Sequence, residues 1–239
     1  MSDLSAQLSI LRAAQCAEGP PTRRERARLL QRLLAEVLDR KEALCAAVDA
    51  DFGGRSRHET LLAEIFPTAE AVRHALRHLG HWMAPRRVWP GLFFLPAAAR
   101  VTATPAGVVG IVGPWNYPVL LTLSPVIAAL AAGNRVMVKL SEHCPSVAAE
   151  LQRLLTAALG PARVTVVQGD ERVGQEFSRL PFDHLLFTGS TGVGRAVLAA
   201  AAENLVPVTL ELGSKSPVII ADDIADDHDI AVAARRIAA

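Results

Sequence analysis

Phe187-Thr188-Gly189-Ser190-Thr191-Gly192-Val193-Gly194-Arg195 joins two unlike patterns. Before it, His184 to Phe187 is a short apolar run of strand type; after it, Gly192 to Glu203 has helical character. A turn that leaves a strand and opens a helix presents free backbone N–H groups and the positive end of a dipole, which favours an anion such as a pyrophosphate. The glycines would let the backbone approach a ligand closely. The spacing is not G-x-G-x-x-G, so this segment alone leaves phosphate binding and a plain structural turn both open.

Working outward, the same alternation recurs. Val208 to Leu212 reads as the next strand. Upstream lie a short helix at about Glu171 to Leu180, a strand at Val164 to Val167 and a helix from Pro145 to Leu159, ended by Gly160-Pro161. Further back come a strand at Val136 to Leu140, a helix across Pro125 to Ala132 and a β-branched run, Val108 to Val112, of the kind buried on both faces of a parallel sheet. Strands alternating with helices predict βαβ units and an α/β fold with a doubly wound parallel sheet.

The N-terminal part is helical instead. Leu29, Leu30, Leu33, Leu34, Val37, Leu38 and Leu44 recur at helical spacing within one run from Thr22 to about Ala50, with Thr22 as N-cap and Gly53-Gly54 as the stop. A second run covers about Glu59 to Met83, interrupted at Pro67, and an extended connection follows at about 91–106. At the other end, Asp222 to Asp229 is an acidic, cap-like opening to a helix from Ile230 to Ala239. The reading continues inside an element to the last residue.

Composition narrows the class. The 239 residues carry 25 Lys and Arg against 24 Asp and Glu, and 51% are hydrophobic. That apolar content disfavours disorder, and a net charge of +1 gives no electrostatic reason to expect nucleic acid or an acidic membrane. The Arg-rich start of the first helical run, Arg23 to Arg28, reads as a solvated face in preference to a polyanion site. Cys16, Cys45 and Cys144 suggest neither a disulfide framework nor a zinc site. The uncharged stretch between Arg100 and Arg135 is the one membrane suspect, and Pro105, Pro114, Pro118 and Pro125 argue against a span. No basic start with a long apolar core opens the chain. The expectation is a soluble, cytoplasmic protein.

Four segments can carry chemistry. Besides the glycine-rich turn, Lys139-Leu140-Ser141-Glu142 ends a strand, where a carboxylate can accept both ribose hydroxyls and would repel a 2′-phosphate; a surface Lys–Glu pair is the plain alternative. Gly113-Pro114-Trp115-Asn116-Tyr117-Pro118 is a stiff turn whose amide could donate to a developing oxyanion, or simply a structural aromatic turn. In Val208-Thr209-Leu210-Glu211-Leu212-Gly213, a carboxylate between two leucines faces a cleft or has a partner, and burial there would suit it to general-base work; a structural salt bridge competes. His74, His78 and His81 share a helical face beside Arg73 and Arg77 and read as packing or solvated groups, with no carboxylate or cysteine to complete a metal set.

Taken together and in order, these pieces resemble the aldehyde dehydrogenase superfamily. Pro114 to Pro118, Ala131-Ala132-Gly133-Asn134, Lys139 to Glu142, Phe187 to Gly194, and Leu210 to Gly213 with Lys215-Ser216-Pro217 carry the likeness, which runs from about Thr22 to Ala239. The Gly-Ser-Thr-Gly-Val-Gly loop looks most like the class 3 branch. Asp51 to Glu64, Gly91 to Pro96 and Pro181 to Gly194 look like bacterial coniferyl aldehyde dehydrogenases.

The resemblance implies oxidation of an aldehyde, aromatic and coniferyl-like, to a carboxylic acid with NAD as cofactor and NADP possible. It implies Asn116 as the oxyanion donor, Lys139 and Glu142 at the adenosine ribose, Ser190 at the pyrophosphate and Val193 against the adenine within the loop Gly189, Ser190, Thr191, Gly192, Val193 and Gly194. Glu211 becomes the general base. It further implies a dinucleotide-binding domain over 1–210, including the N-terminal helices, the truncated start of a catalytic domain over 211–239, and a homodimer for a complete relative. Leu140 stands where the family usually has Pro, and Ser214 where it usually has a second Gly, a strain if the backbone there needs φ > 0. The nucleophilic cysteine is expected downstream of Glu211, beyond the last residue given, and none of the three cysteines matches its motif. The expectation is therefore a chain inactive by itself. A non-catalytic dinucleotide-binding or interaction module is the rival reading.

Overall fold

The computed structural model describes residues 3–221 and 226–238. It opens with a helix that the sequence reading did not assign, α1 (Leu4–Glu18). Asp3 caps it by accepting the Ala6 N–H at 3.0 Å, and Leu4, Leu8 and Leu11 are buried at helical spacing. Its C-terminal end is held by Arg135, fully buried, which donates to the Ala14 carbonyl at 2.8 Å and pairs with Glu18 at 2.9 Å.

The run expected as one helix from Thr22 to about Ala50 is two, α2 (Arg23–Asp39) and α3 (Lys41–Phe52). Arg40 interrupts it at φ −92°, ψ 8°, and its guanidinium bonds Glu36 at 2.8 Å and the distant Glu150 at 3.0 Å. Tertiary charge pairing thus holds a bend that periodicity does not reveal. The expected cap and stop are present: Thr22 and Glu25 form a reciprocal capping box, and Gly53 ends α3 in the left-handed region at φ 64°.

Next come α4 (Arg57–Thr60), a π-helical turn at Leu61–Ile65, and α5 (Phe66–Met83). Pro67 lies in the first turn of α5, directly after the π-helical turn, so the helical run changes type beside it without ending. The connection expected to be extended contributes one strand, β2 (Ala99–Val101), to a small antiparallel ribbon with β1 (Arg86–Val88), which lies just before it. Three-residue strands are too short to show an alternating pattern.

From here the alternation follows the prediction. β3 (Val108–Val112), α6 (Leu120–Ala132), β4 (Arg135–Lys139), α7 (Pro145–Leu159), β5 (Val164–Val167), α8 (Glu171–Ser178), β6 (His184–Gly189), α9 (Thr191–Ala202) and β7 (Val208–Leu212) alternate without exception. The helix α10 (Asp227–Ala238) closes the described chain, and the acidic opening at 222–225 lies outside the described residues. All five strands from β3 to β7 are parallel, in the order β5-β4-β3-β6-β7. One core packs α2, α3, α5, α6 and α7 against one face, and a second packs α1, α8 and α9 against the other.

The winding reverses beside β3, with β4 and β5 on one side and β6 and β7 on the other. In an open parallel sheet, ligands bind at the carboxyl ends of the strands flanking such a reversal. Those ends lead into Gly113 to Pro118 after β3 and Ser190 to Gly194 after β6.

Candidate active site

The strand ends bring the expected residues into line. Val112 at the end of β3 is in register with Lys139 at the end of β4, and Thr188 on β6 with Glu211 on β7. A groove of about 1560 Å³ runs along this edge. Asn116, Lys139, Glu142, Gly189, Ser190, Gly192, Val193 and Glu211 all line it. Thr191 is exposed beside it, and Gly194 is buried below.

Lys139 and Glu142 pair, but only the glutamate lies at the surface. The lysine is only 4% exposed and donates to the Glu142 carboxylate. Burial pushes the Glu142 carboxyl up, but the bonds from Lys139 and from its own backbone outweigh this and hold it below the usual range. The glutamate is therefore an anion with acceptor capacity at the groove wall.

At the start of α9, Ser190 accepts the Val193 N–H at 3.3 Å. The amides of Thr191 and Gly192 precede the first intrahelical acceptors and remain available to an anion. No glycine of this turn has a positive φ. They are small for different reasons. A β-carbon on Gly189 would sit 2.5 Å from the ring of Phe187 on the same strand, and one on Gly194 2.8 Å from Leu212, so the second permits close packing of α9 on β7. Gly192 has nothing within 4 Å of its would-be β-carbon and faces open space. This residue set fits a dinucleotide: an anion site of backbone N–H groups, a carboxylate for hydroxyls and the exposed aliphatic surface of Val193.

Glu211 faces the cleft, one of the two alternatives expected for it, but it is exposed, and among the described residues it has no ion-pair partner. Ser214 does not have a positive φ and is not strained. Asn116 is exposed too, and among the described residues its side chain makes no hydrogen bond. Its backbone carbonyl, however, accepts Arg55 Nη1 at 2.7 Å.

Residues 9–239 match the Aldehyde dehydrogenase family. The chain belongs to the aldehyde dehydrogenase family. It is similar to the probable coniferyl aldehyde dehydrogenase of Pseudomonas aeruginosa, 47% identical over 94% of this chain and 47% of that protein. It is also similar to the coniferyl aldehyde dehydrogenase of Pseudomonas sp. strain HR199, 43% identical over 95% of this chain and 47% of that protein. The substrate-bound structure of Staphylococcus aureus AldH superposes with a TM-score of 0.88 at 32% identity, covering 93% of this chain and 48% of the other. The chain spans about half the length of the curated relatives it matches.

In this aldehyde dehydrogenase chain, none of the three cysteines lines the groove. Cys144 is buried and donates to the Trp115 carbonyl at 3.4 Å. Burial, reinforced by the charges of Asp51 and Glu64, pushes its thiol up to about 11. The histidines of α5 are taken up in an aromatic stack, His74 on His78 at 4.1 Å and His78 on Trp82 at 5.8 Å. No group of three potential ligands is arranged for a metal among the described residues, and no described helix is long and apolar enough to cross a membrane.

The sequence reading placed the helix α8 but assigned no part in the site to its Gln175 and Ser178, or to Arg179 just after it, which complete the groove wall. It also overlooked Arg55 and Glu64. The one available signal was a lone carboxylate inside Leu61-Leu62-Ala63-Glu64-Ile65-Phe66, since a charge within an apolar run needs a partner.

Proposed function

We propose that this chain provides the cofactor-binding part of an NAD(P)-dependent aldehyde dehydrogenase that converts an aromatic, coniferyl-like aldehyde to its carboxylic acid. One observation carries the reading: an amide at 116, a carboxylate at 211 and the helix-opening turn Gly189 to Gly194 share a single groove along the strand ends. The chemistry supplied by bound NAD(P)⁺ is acceptance of a hydride. Lys139 and Glu142 hold the adenosine ribose, with the Glu142 charge disfavouring a 2′-phosphate and hence NADP. The Thr191 and Gly192 amides, with Ser190, meet the pyrophosphate, and Val193 packs on the adenine.

Asn116 donates its side-chain N–H to the aldehyde oxygen as negative charge gathers there. Glu211 takes the proton from the attacking nucleophile or from the water that later hydrolyses the acyl group. The nucleophile is not Cys16, Cys45 or Cys144. The groove contains no cysteine, and a buried thiol that ionises only at about 11 is a poor nucleophile at neutral pH. The chain by itself is accordingly inactive. Residues 1–210 form the dinucleotide-binding domain and 211–239 the start of the catalytic one, and the complete enzyme is a cytoplasmic homodimer.

Two measurements test this. Titration calorimetry of the chain with NAD⁺ is expected to show binding that Glu142→Ala weakens. The chain continued through the remaining half of its Pseudomonas aeruginosa relative is expected to reduce NAD⁺ in the presence of coniferyl aldehyde, whereas the chain alone does not. Binding without turnover in the extended enzyme would favour a non-catalytic dinucleotide module. Turnover by the unextended chain would overturn the assignment of the nucleophile.

A further inference from the structure

The turn that presents Asn116 is gripped from outside the sheet. Arg55 donates Nη1 to the carbonyl oxygen of Asn116 itself, at 2.7 Å. Its guanidinium lies 3.8 Å from the centre of the Phe52 ring and 4.9 Å from that of Tyr117, the residue after Asn116. Glu64 is 0% exposed. Its Oε2 accepts the backbone N–H of Val119 at 2.7 Å and of Leu120 at 3.1 Å, where α6 begins. Its Oε1 has no hydrogen-bond donor, and Arg55 Nη1 stands 3.6 Å away.

Two charged side chains thus hold the turn at Asn116 and immediately after Pro118. Both come from the N-terminal helical part, Arg55 just past the Gly53-Gly54 stop and Glu64 from the π-helical turn, a distortion frequent at functional sites. Helix capping alone does not account for the arrangement. Val119 offers α6 no side-chain cap, so Glu64 serves there. Arg55 caps nothing; its bond fixes the peptide plane of Asn116, whose exposed side chain makes no hydrogen bond among the described residues. An oxyanion donor must be aimed before charge develops, and misplacement by about 1 Å can cost about a hundredfold in rate.

We propose that Arg55 and Glu64 are a positioning pair that aims the Asn116 side chain at the aldehyde oxygen. This rests on the assignment of Asn116 as the oxyanion donor. The test uses the extended enzyme described above. Arg55→Met is expected to lower kcat about tenfold to a hundredfold, with KM for the aldehyde, NAD⁺ affinity and melting temperature close to the unmodified enzyme. Arg55→Lys, which keeps the charge beside Glu64, is expected to recover part of the loss. Asn116→Ala is expected to cost about a hundredfold or more. Arg55→Met added to it is expected to cost nothing further, because a residue acting through Asn116 has no effect once that amide is gone.

A full-sized second loss in the double variant would overturn the proposal, as would unchanged kcat in Arg55→Met or an effect confined to KM. Should Arg55→Met fail to fold, Arg55→Gln and Glu64→Gln carry the same cycle with the same outcomes. An unmodified extended enzyme without turnover would defeat the functional reading first, and this proposal with it. Turnover with an indifferent Arg55 would defeat the proposal alone.

Discussion

At Thr22 two bonds close on each other: the hydroxyl accepts the Glu25 N–H at 3.3 Å, and Glu25 accepts the Thr22 N–H at 2.7 Å. Thr22→Ala removes one half and is expected to lower stability by about 1 kcal/mol, seen as a lower urea midpoint at unchanged slope. This cap is legible in the sequence because both partners lie within three residues. Cys144 is not, since its donation to Trp115 spans 29 residues. Its thiol keeps its proton up to about 11 in the folded chain, whereas an unfolded thiol ionises near ~8.5. The folded state therefore binds the extra proton between those values. That contribution to stability is complete below the lower value and lost as pH rises through the upper one. Urea titrations across this range are expected to show a decline that Cys144→Ala reduces. At neutral pH a thiol reagent is expected to label Cys16 quickly and the two buried cysteines only after unfolding.

Elements bounded by local signals match the sequence reading. The helix α7 runs from Pro145 to Leu159 and β7 from Val208 to Leu212, as expected, because a proline, a glycine or a change of period marks their ends. The helix α6 begins at Leu120, five residues before the expected Pro125, since Glu64 supplies acceptors that no neighbouring residue offers. Within α9 the glycines divide by what surrounds them. Gly192→Ala is expected to leave stability unchanged or raise it by up to ~1 kcal/mol, as alanine is the better helix former, while weakening NAD⁺ binding by placing a methyl group in the groove. Gly194→Ala, whose methyl would meet the movable end of the Leu212 side chain at 2.8 Å, is expected to cost about 1 kcal/mol, the low end for overpacking. Thermal melts paired with calorimetric titration separate the two.

Over the whole molecule, apolar surface is left open in two places. Trp89, Leu92, Phe93, Phe94 and Leu95 are exposed around the β1–β2 ribbon, and Val218, Ile219 and Ile220 are exposed after β7. Contiguous apolar surface of this kind favours association and lowers solubility. The chain in isolation is expected to bind an apolar fluorescent dye, to self-associate with rising concentration and to melt near room temperature. Monomeric sedimentation without dye binding, or a cooperative melt far above room temperature, would contradict this.

The amino-acid sequence by itself determined the parallel α/β alternation, the caps at Thr22 and Gly53 and the candidate residues at the strand ends, because periodicity, capping and strand-to-helix turns act over a few residues. Only the tertiary structure decided that α1 covers the second face of the sheet, that Arg40 bends the first helical run and that Glu211 stands exposed. It also revealed the grip of Arg55 and Glu64 on the Asn116 turn. Each depends on partners far apart in the chain or on the absence of a covering neighbour, and burial is a property of the folded surroundings that no local pattern encodes.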